Sequence, residues 1–243
     1  MATQLTGTGP QALAQDVMSE STVQLHNLGE KCFSNDGRTF RYVKAGAVAL
    51  VPGNVIQSPA VVANHVNLTP TAVSAVGATT VTVTLGATAV VANFYSNGML
   101  VVEKGTGKGL SYKIKSHPAA DSSATLVVTL EDPIVVATAG TITVSLVANM
   151  YKGVIACPVT TLTGTPVGAA VFPIAINNFG WICSRGLTGV LADGIITQGT
   201  VGVAVPSGAA GAAKVMAATL FSIGTFSKTT IDTQITPCYL TLD

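Results

Sequence analysis

Thr80-Val81-Thr82-Val83-Thr84-Leu85 decides the fold class of this chain. In an extended backbone, strict alternation sends Val81, Val83 and Leu85 to one side and the threonines to the other. β-Branched residues at that period suit a pleated, half-buried surface. The pattern recurs further along. Asn97-Gly98 marks a turn, and Met99 to Val102 begins a strand. Gly105-Thr106-Gly107-Lys108-Gly109 reads as a loop, after which Leu110, Tyr112 and Ile114 alternate with Ser111, Lys113 and Lys115. Leu126 to Leu130 and Thr141 to Leu146 repeat the theme. This spacing predicts a small barrel or sandwich over residues 67–150. No helical period lies between the strands, which argues against βαβ crossovers.

Working outward, His26 to Gly46 predicts a hairpin. Lys31-Cys32-Phe33 is extended, Asn35-Asp36-Gly37 supplies a tight turn, and Thr39 to Lys44 alternates on the far side. Phe40 and Tyr42 share one face; Arg41 and Val43 share the other. Ala47 to Val66 is less regular, and Pro59 points to an edge strand or loop there. Residues 26–66 are expected to form a hairpin and crossing segment that packs with a C-terminal β-barrel-like body, residues 151–243. In that body Phe179-Gly180-Trp181 leads into Ile182 to Gly186, and Asp193-Gly194 closes the strand from Thr188. Val201, Val203 and Val205 alternate, Met216 to Ile223 reads as a strand, and Cys238 to Leu242 ends the chain in another. Residues 1–25 are polar and read as an extended N-terminal arm, with Ala12 to Ser19 compatible with a short helix. The expected architecture is all-β: two small β-barrel- or sandwich-like domains and the arm.

Composition narrows the function. Charged residues make up only 9% of the 243, against roughly a quarter in ordinary soluble domains. Hydrophobic residues reach 48% and the formal net charge is +1. That balance gives no long-range pull towards nucleic acid or an anionic membrane. Low net charge also removes a barrier to self-association. The apolar runs are short and broken, so no membrane-spanning helix is expected. The first residues lack the basic and apolar regions of a secretory signal. Cys32, Cys157, Cys183 and Cys238 lie too far apart for a local zinc knuckle and read as buried free thiols.

Candidate chemical sites are sparse. The loop Gly105–Gly109 fails the phosphate-loop pattern, because Lys108 is followed by Gly109 and no helix follows. His26, His65 and His117 show no metal-ligand spacing, and His117-Pro118 reads as a surface position at a strand end. The carboxylates sit mostly at turns or termini, which gives paired-acid hydrolysis little support. Lys104, Lys108, Lys113 and Lys115 form a local basic concentration. It reads as a solvated strand face or as a rim contact with an acidic partner; a nucleic-acid contact is the least favoured reading, because Tyr112 would point to the opposite face of that strand. Trp181, Phe179 and Tyr239 fit either a core or a subunit contact. No catalytic, cofactor or metal residues are assigned, and the chain is not expected to be an enzyme.

Three segments carry a family resemblance: GEKCFSNDGRTFRYVKAG within 26–46, NGMLVVEKGTGKGLSYKIKSHPA within 93–119, and NNFGWICSRGLTGVLADGIITQGT from Asn177. Together they resemble the head decoration, or capsid cement, proteins of tailed bacteriophages. The resemblance implies a β-rich body on the outer surface of a virion capsid. It also implies a homotrimer and the major capsid protein as partner, with neither nucleic acid nor membrane bound. The function it implies is bridging adjacent capsid subunits to stabilise the head. Thr3, Gln4, Leu5, Leu13, Val17 and Val23 would then belong to a capsid-binding arm. Phe179, Trp181, Arg185 and Tyr239 would belong to a subunit interface. Residues 67–150 would be an insertion beyond the smallest members of that group. The alternatives are a minor capsid, tail or fibre-associated role, a glycan-binding adhesion module, and a hydrolase.

Overall fold

The computed structural model describes residues 14–138, 141–198, 203–218 and 220–243. The described chain is nearly all-β, with one 3-10 turn at Ala63–His65. In chain order the strands are β1 Glu20–Ser21, β2 Lys31–Phe33, β3 Thr39–Ala45, β4 Val55–Gln57, β5 Thr80–Thr84, β6 Met99–Lys104, β7 Ser111–Ser116 and β8 Thr125–Leu130. They continue with β9 Thr143–Val147, β10 Lys152–Ala156, β11 Pro166–Ala170, β12 Phe179–Leu191, β13 Val203–Val205, β14 Lys214–Val215, β15 Phe221–Phe226 and β16 Ile235–Thr241. They fall into two compact units: Val61–Asn149, and a body made of the residues up to Ala60 together with Met150–Asp243. The first boundary precedes the expected one because His65 and Asn64 are tied into the inserted unit. His65 bonds Tyr95 and the Thr88 carbonyl, and Asn64 Nδ2 donates to Thr88 Oγ1.

The inserted unit is a small barrel. Its strands pair in the order β5-β8-β7-β6-β9. The stretch from Leu68 to Thr71 closes the ring, with Leu68 bridged to Val144 of β9 and Pro70 to Val83 of β5. Val81, Val83, Leu100, Ile114, Leu126, Val128, Val144 and Leu146 fill the interior, as the alternation requires. Each such side chain contributes roughly 1.5–3 kcal/mol when fully buried. Thr80, Thr84, Thr125, Lys113 and Lys115 face outward and are exposed. Gly98 is required at its turn, since a Cβ there would lie 2.2 Å from the Val147 carbonyl oxygen.

The body also contains a closed ring. β3, β10, β4, β11 and β12 pair in succession, and β12 pairs back onto β3. Every strand of the ring sends residues to one core cluster: Val43 and Ala45, Val154, Ile56, Val167 and Ala170, and Ile182. β12 outruns the ring. Its far half pairs with β16, which carries β15, β13 and β14 beyond it. A second cluster, with Phe40, Tyr42, Trp181, Cys183, Ile223, Cys238 and Leu240, packs against the opposite side of β3 and β12. That double cover explains why the first six residues of β12 are all buried. Without a water-facing side, the strand loses the alternation of a half-exposed one.

Three expectations need correction. β4 is an interior strand between β10 and β11, not an edge, because Pro59 falls just past its end and removes no ladder bond. The strand expected from Met216 begins at Phe221, with the two-residue β14 before it. Ala14 to Ser19 is bend and turn rather than helix: Asp16 Oδ1 accepts from the Met18 N–H and Ser19 Oγ donates to the Asp16 carbonyl. Such local bonds compete with helix formation.

Candidate interaction surface

The aromatic residues named as interface candidates divide. Trp181 is completely buried and Phe179 nearly so. Trp181 packs against Tyr42 and His26, each with ring centroids 5.0 Å away, while Tyr42 stacks on Phe179 at 6.2 Å. These two residues build the body's core, which corrects their assignment to a subunit contact. Their cover is the chain's own residues 15–21. Gln15 is buried; its Oε1 accepts from the Tyr42 hydroxyl at 2.7 Å, and its Nε2 donates to the Phe179 carbonyl at 3.0 Å. The Trp181 indole N–H donates to the Gln15 carbonyl at 3.2 Å. Val17 joins the same core cluster, and Glu20 pairs with Gly180 across β1 and β12. The Glu20 carboxylate accepts from the Ala175 N–H and the Asn178 side chain.

Residues 14–21 are therefore a strap of the body rather than part of a loose arm. Val17 is core, not a capsid contact, because its side chain is enclosed. Val23 points outward and is 63% exposed. Thr3, Gln4, Leu5 and Leu13 lie outside the described residues.

Arg185 and Tyr239 meet on a different surface, the outward face of β12 and β16. The register sets Arg185 opposite Thr241, Leu187 opposite Tyr239, Gly189 opposite Pro237 and Leu191 opposite Ile235. Leu187, Ile235 and Tyr239 are each about half exposed (51%, 51% and 45%). The intervening residues Val190, Cys238 and Leu240 point into the core, so the alternation itself forces the others out. Ile235 lies across two glycines: a Cβ on Gly53 would come within 2.2 Å of its side chain, and one on Gly189 within 2.6 Å. Thr225 of β15 extends the face beside Tyr239. Arg185, at one end, is the single charged residue among these positions. Leu187, Leu191 and Ile235 were not singled out from the sequence, although GLTGVL and ITPCYL carry the two-residue period that exposes them.

Reactive geometry is absent from this face. Burial pushes the thiols up, to about 11 for Cys32 and Cys183 and about 12 for Cys157 and Cys238, which keeps them protonated and unreactive. All four are free and buried. The amides of the glycine loop are used internally: Gly109 N–H donates to the Val102 carbonyl and Leu110 N–H to that of Gly107. The four lysines near it are exposed. His117, expected at the surface, is buried beneath Tyr95. Among the described residues no group of three or more His, Cys, Asp or Glu side chains could hold a metal, and no helix is long and apolar enough to cross a membrane.

Among the described residues a dense ionic cluster joins Asp243 to β3. Arg41 grips Asp243 through Nε at 2.9 Å and Nη2 at 2.6 Å, Lys31 lies 3.2 Å away, and Ser184 Oγ donates at 2.9 Å. Burial pushes the Asp243 carboxyl up, but the bonds from Arg41, Ser184 and Lys31 outweigh it and hold the group at about 2. Its oxygens are occupied by these donors, so the cluster reads as a structural clamp. No family model matches the chain, and no curated protein or solved structure matches it.

Proposed function

We propose that this protein is a structural virion component that binds the outer capsid surface and bridges adjacent major capsid subunits. In this reading it acts as a homotrimer that stabilises the head and performs no catalysis. The observation that carries the proposal is the outward face of β12 and β16. It sets Leu187, Ile235 and Tyr239 in water on a rigid sheet and holds a single charge at its rim. The charge-poor composition and the resemblance to capsid cement proteins point the same way. The face is assigned to contact between copies, with Arg185 and Tyr239 at that contact. The segment before the strap, with Thr3, Gln4, Leu5 and Leu13, is assigned to the shell.

Magnitudes favour many weak contacts over one strong one. Burying the exposed half of Leu187, Ile235 and Tyr239 yields roughly 1 kcal/mol each. Association must also offset several kcal/mol of lost freedom. A trimer with three shell-binding segments gains through effective concentration what one copy lacks.

The test is to add the purified full-length chain, and a version lacking residues 1–13, to heads stripped of decoration, and to image both at low resolution. Full-length protein should appear as three-fold density over the seams between capsomers, and the truncated protein should leave the heads bare. Bare heads with the full-length chain would overturn the proposal; full occupancy by the truncated chain would remove the segment's role.

A further inference from the structure

The barrel unit holds a buried imidazole whose partners fix its protonation state. His117 follows β7 and is 4% exposed. Its Nε2 lies 2.9 Å from the Tyr95 backbone nitrogen, and its Nδ1 lies 2.8 Å from the Pro118 carbonyl oxygen. A backbone N–H can only donate and a carbonyl can only accept. Nδ1 therefore carries the proton and Nε2 the lone pair, so the ring fits as one neutral tautomer. A proton on Nε2 would set two N–H groups head to head. The ring is also held at its base. The His117 N–H donates to Asn93 Oδ1 at 3.1 Å, and the Asn93 N–H donates to the His117 carbonyl at 3.0 Å.

The groups beside the ring continue the network. Tyr95 is buried with its ring 5.7 Å from that of His117, and burial pushes its phenol up, so it stays neutral in acid. On the far side of Tyr95, His65 Nδ1 lies 2.6 Å from the phenol oxygen and Nε2 lies 2.8 Å from the Thr88 carbonyl. Lys115 on β7 and Asp121 in the following loop are both exposed.

We propose that His117 makes the barrel an acid-opened element: protonation at Nε2 breaks the bond from Tyr95, releases the loop from Asn93 to Asn97 and unfolds Val61–Asn149 while the body stays folded. The sign follows from linkage. An unfolded imidazole titrates near 6.5, whereas the bonds from the Tyr95 N–H and to the Pro118 carbonyl are made together only by the neutral ring. The unfolded state therefore binds more protons below about pH 6.5, and stability falls as pH drops, by up to tenfold in the opening equilibrium per pH unit. The body's His26 sits differently, with Glu30 at 3.0 Å and the rings of Tyr42 and Trp181 beside it.

The experiment is amide hydrogen exchange on the full chain at about pH 7 and about pH 5, corrected for the intrinsic rate, in wild type and His117→Gln. Glutamine offers an amide oxygen to the Tyr95 N–H and does not titrate. Wild-type amides of β5 to β9 should open at least about tenfold more often at the lower pH, those of the body should not, and the variant should show no acid response. Unchanged barrel protection in wild type, or an equal acid response in the variant, overturns the proposal. If His117→Gln fails to fold, ring nitrogen chemical shifts of the wild type decide: His117 should remain the Nδ1–H tautomer in every folded molecule. An imidazolium at His117 within a folded barrel refutes it.

Discussion

Replacing Gln15 with alanine tests the strap at its most connected residue. In the folded body the Gln15 amide satisfies two buried groups, the Tyr42 hydroxyl and the Phe179 carbonyl. Alanine fills neither role. A buried polar group left without its partner costs about 1–3 kcal/mol, so the two together cost roughly 2–6 kcal/mol. Tyr42 retains one bond, from the Leu25 N–H at 3.2 Å, which keeps the total towards the lower end. The upper limit is the strap's own docking energy, because beyond it residues 14–21 lift away and water solvates the groups. For a domain of the body's size, each kcal/mol moves the midpoint by about 2–4 °C, so the body's thermal transition should fall by roughly 5–15 °C. Trp181 is the only tryptophan in the chain, and its indole N–H bonds the Gln15 carbonyl. Its emission therefore reports strap docking directly and should shift to the red, with new protease cleavage between residues 14 and 25. An unchanged midpoint with unshifted emission would refute the strap as a structural element.

Gly98→Ala places a methyl group against the Val147 carbonyl and should destabilise the barrel by several kcal/mol, seen as an early transition confined to Val61–Asn149 in hydrogen exchange. Asp243→Asn removes a carboxylate held at about 2 by Arg41, Ser184 and Lys31. Because that carboxyl is held below its ordinary value, the clamp contributes fully above about pH 4 and fades as pH falls towards 2. The variant's unfolding midpoint should thus lie below wild type at neutral pH and converge with it in strong acid. Deleting residues 1–22 should weaken the body, because it takes away Gln15 and Val17, whereas deleting 1–13 should leave both thermal transitions in place; circular dichroism melts distinguish the two.

Local alternation was enough to read the barrel and the hairpin. Thr80 to Thr84 alternates because one side of β5 meets the barrel interior, and that signal needs no distant partner. The same period runs through Leu187-Thr188-Gly189 and Pro237-Cys238-Tyr239, but the face it exposes was not read from it: Tyr239 was named as an aromatic anchor and Arg185 through the family resemblance. What escaped depends on residues far apart in sequence. Gln15 looks like part of a polar arm until the Phe179 carbonyl, 164 residues away, takes its amide hydrogen. β4 looks like a loop beside Pro59 because its partners, β10 and β11, lie about a hundred residues further on. Trp181 fitted a core, the favoured reading, and also a subunit contact; the strap that buries it decides. His117 looked like a surface residue at a strand end because the Tyr95 amide that occupies its ring is 22 residues earlier.

The whole reading rests on sheet faces that meet other copies rather than enclose reactive groups. Sedimentation velocity over a wide range of protein concentrations addresses this directly, with wild type run beside a Leu187→Asp, Tyr239→Asp double variant of unchanged circular dichroism. Wild type should sediment as a trimer and the double variant as a monomer, since two carboxylates on that face cannot be desolvated without partners. A wild type that stays monomeric at every concentration, or a double variant that still forms the trimer, contradicts the assignment.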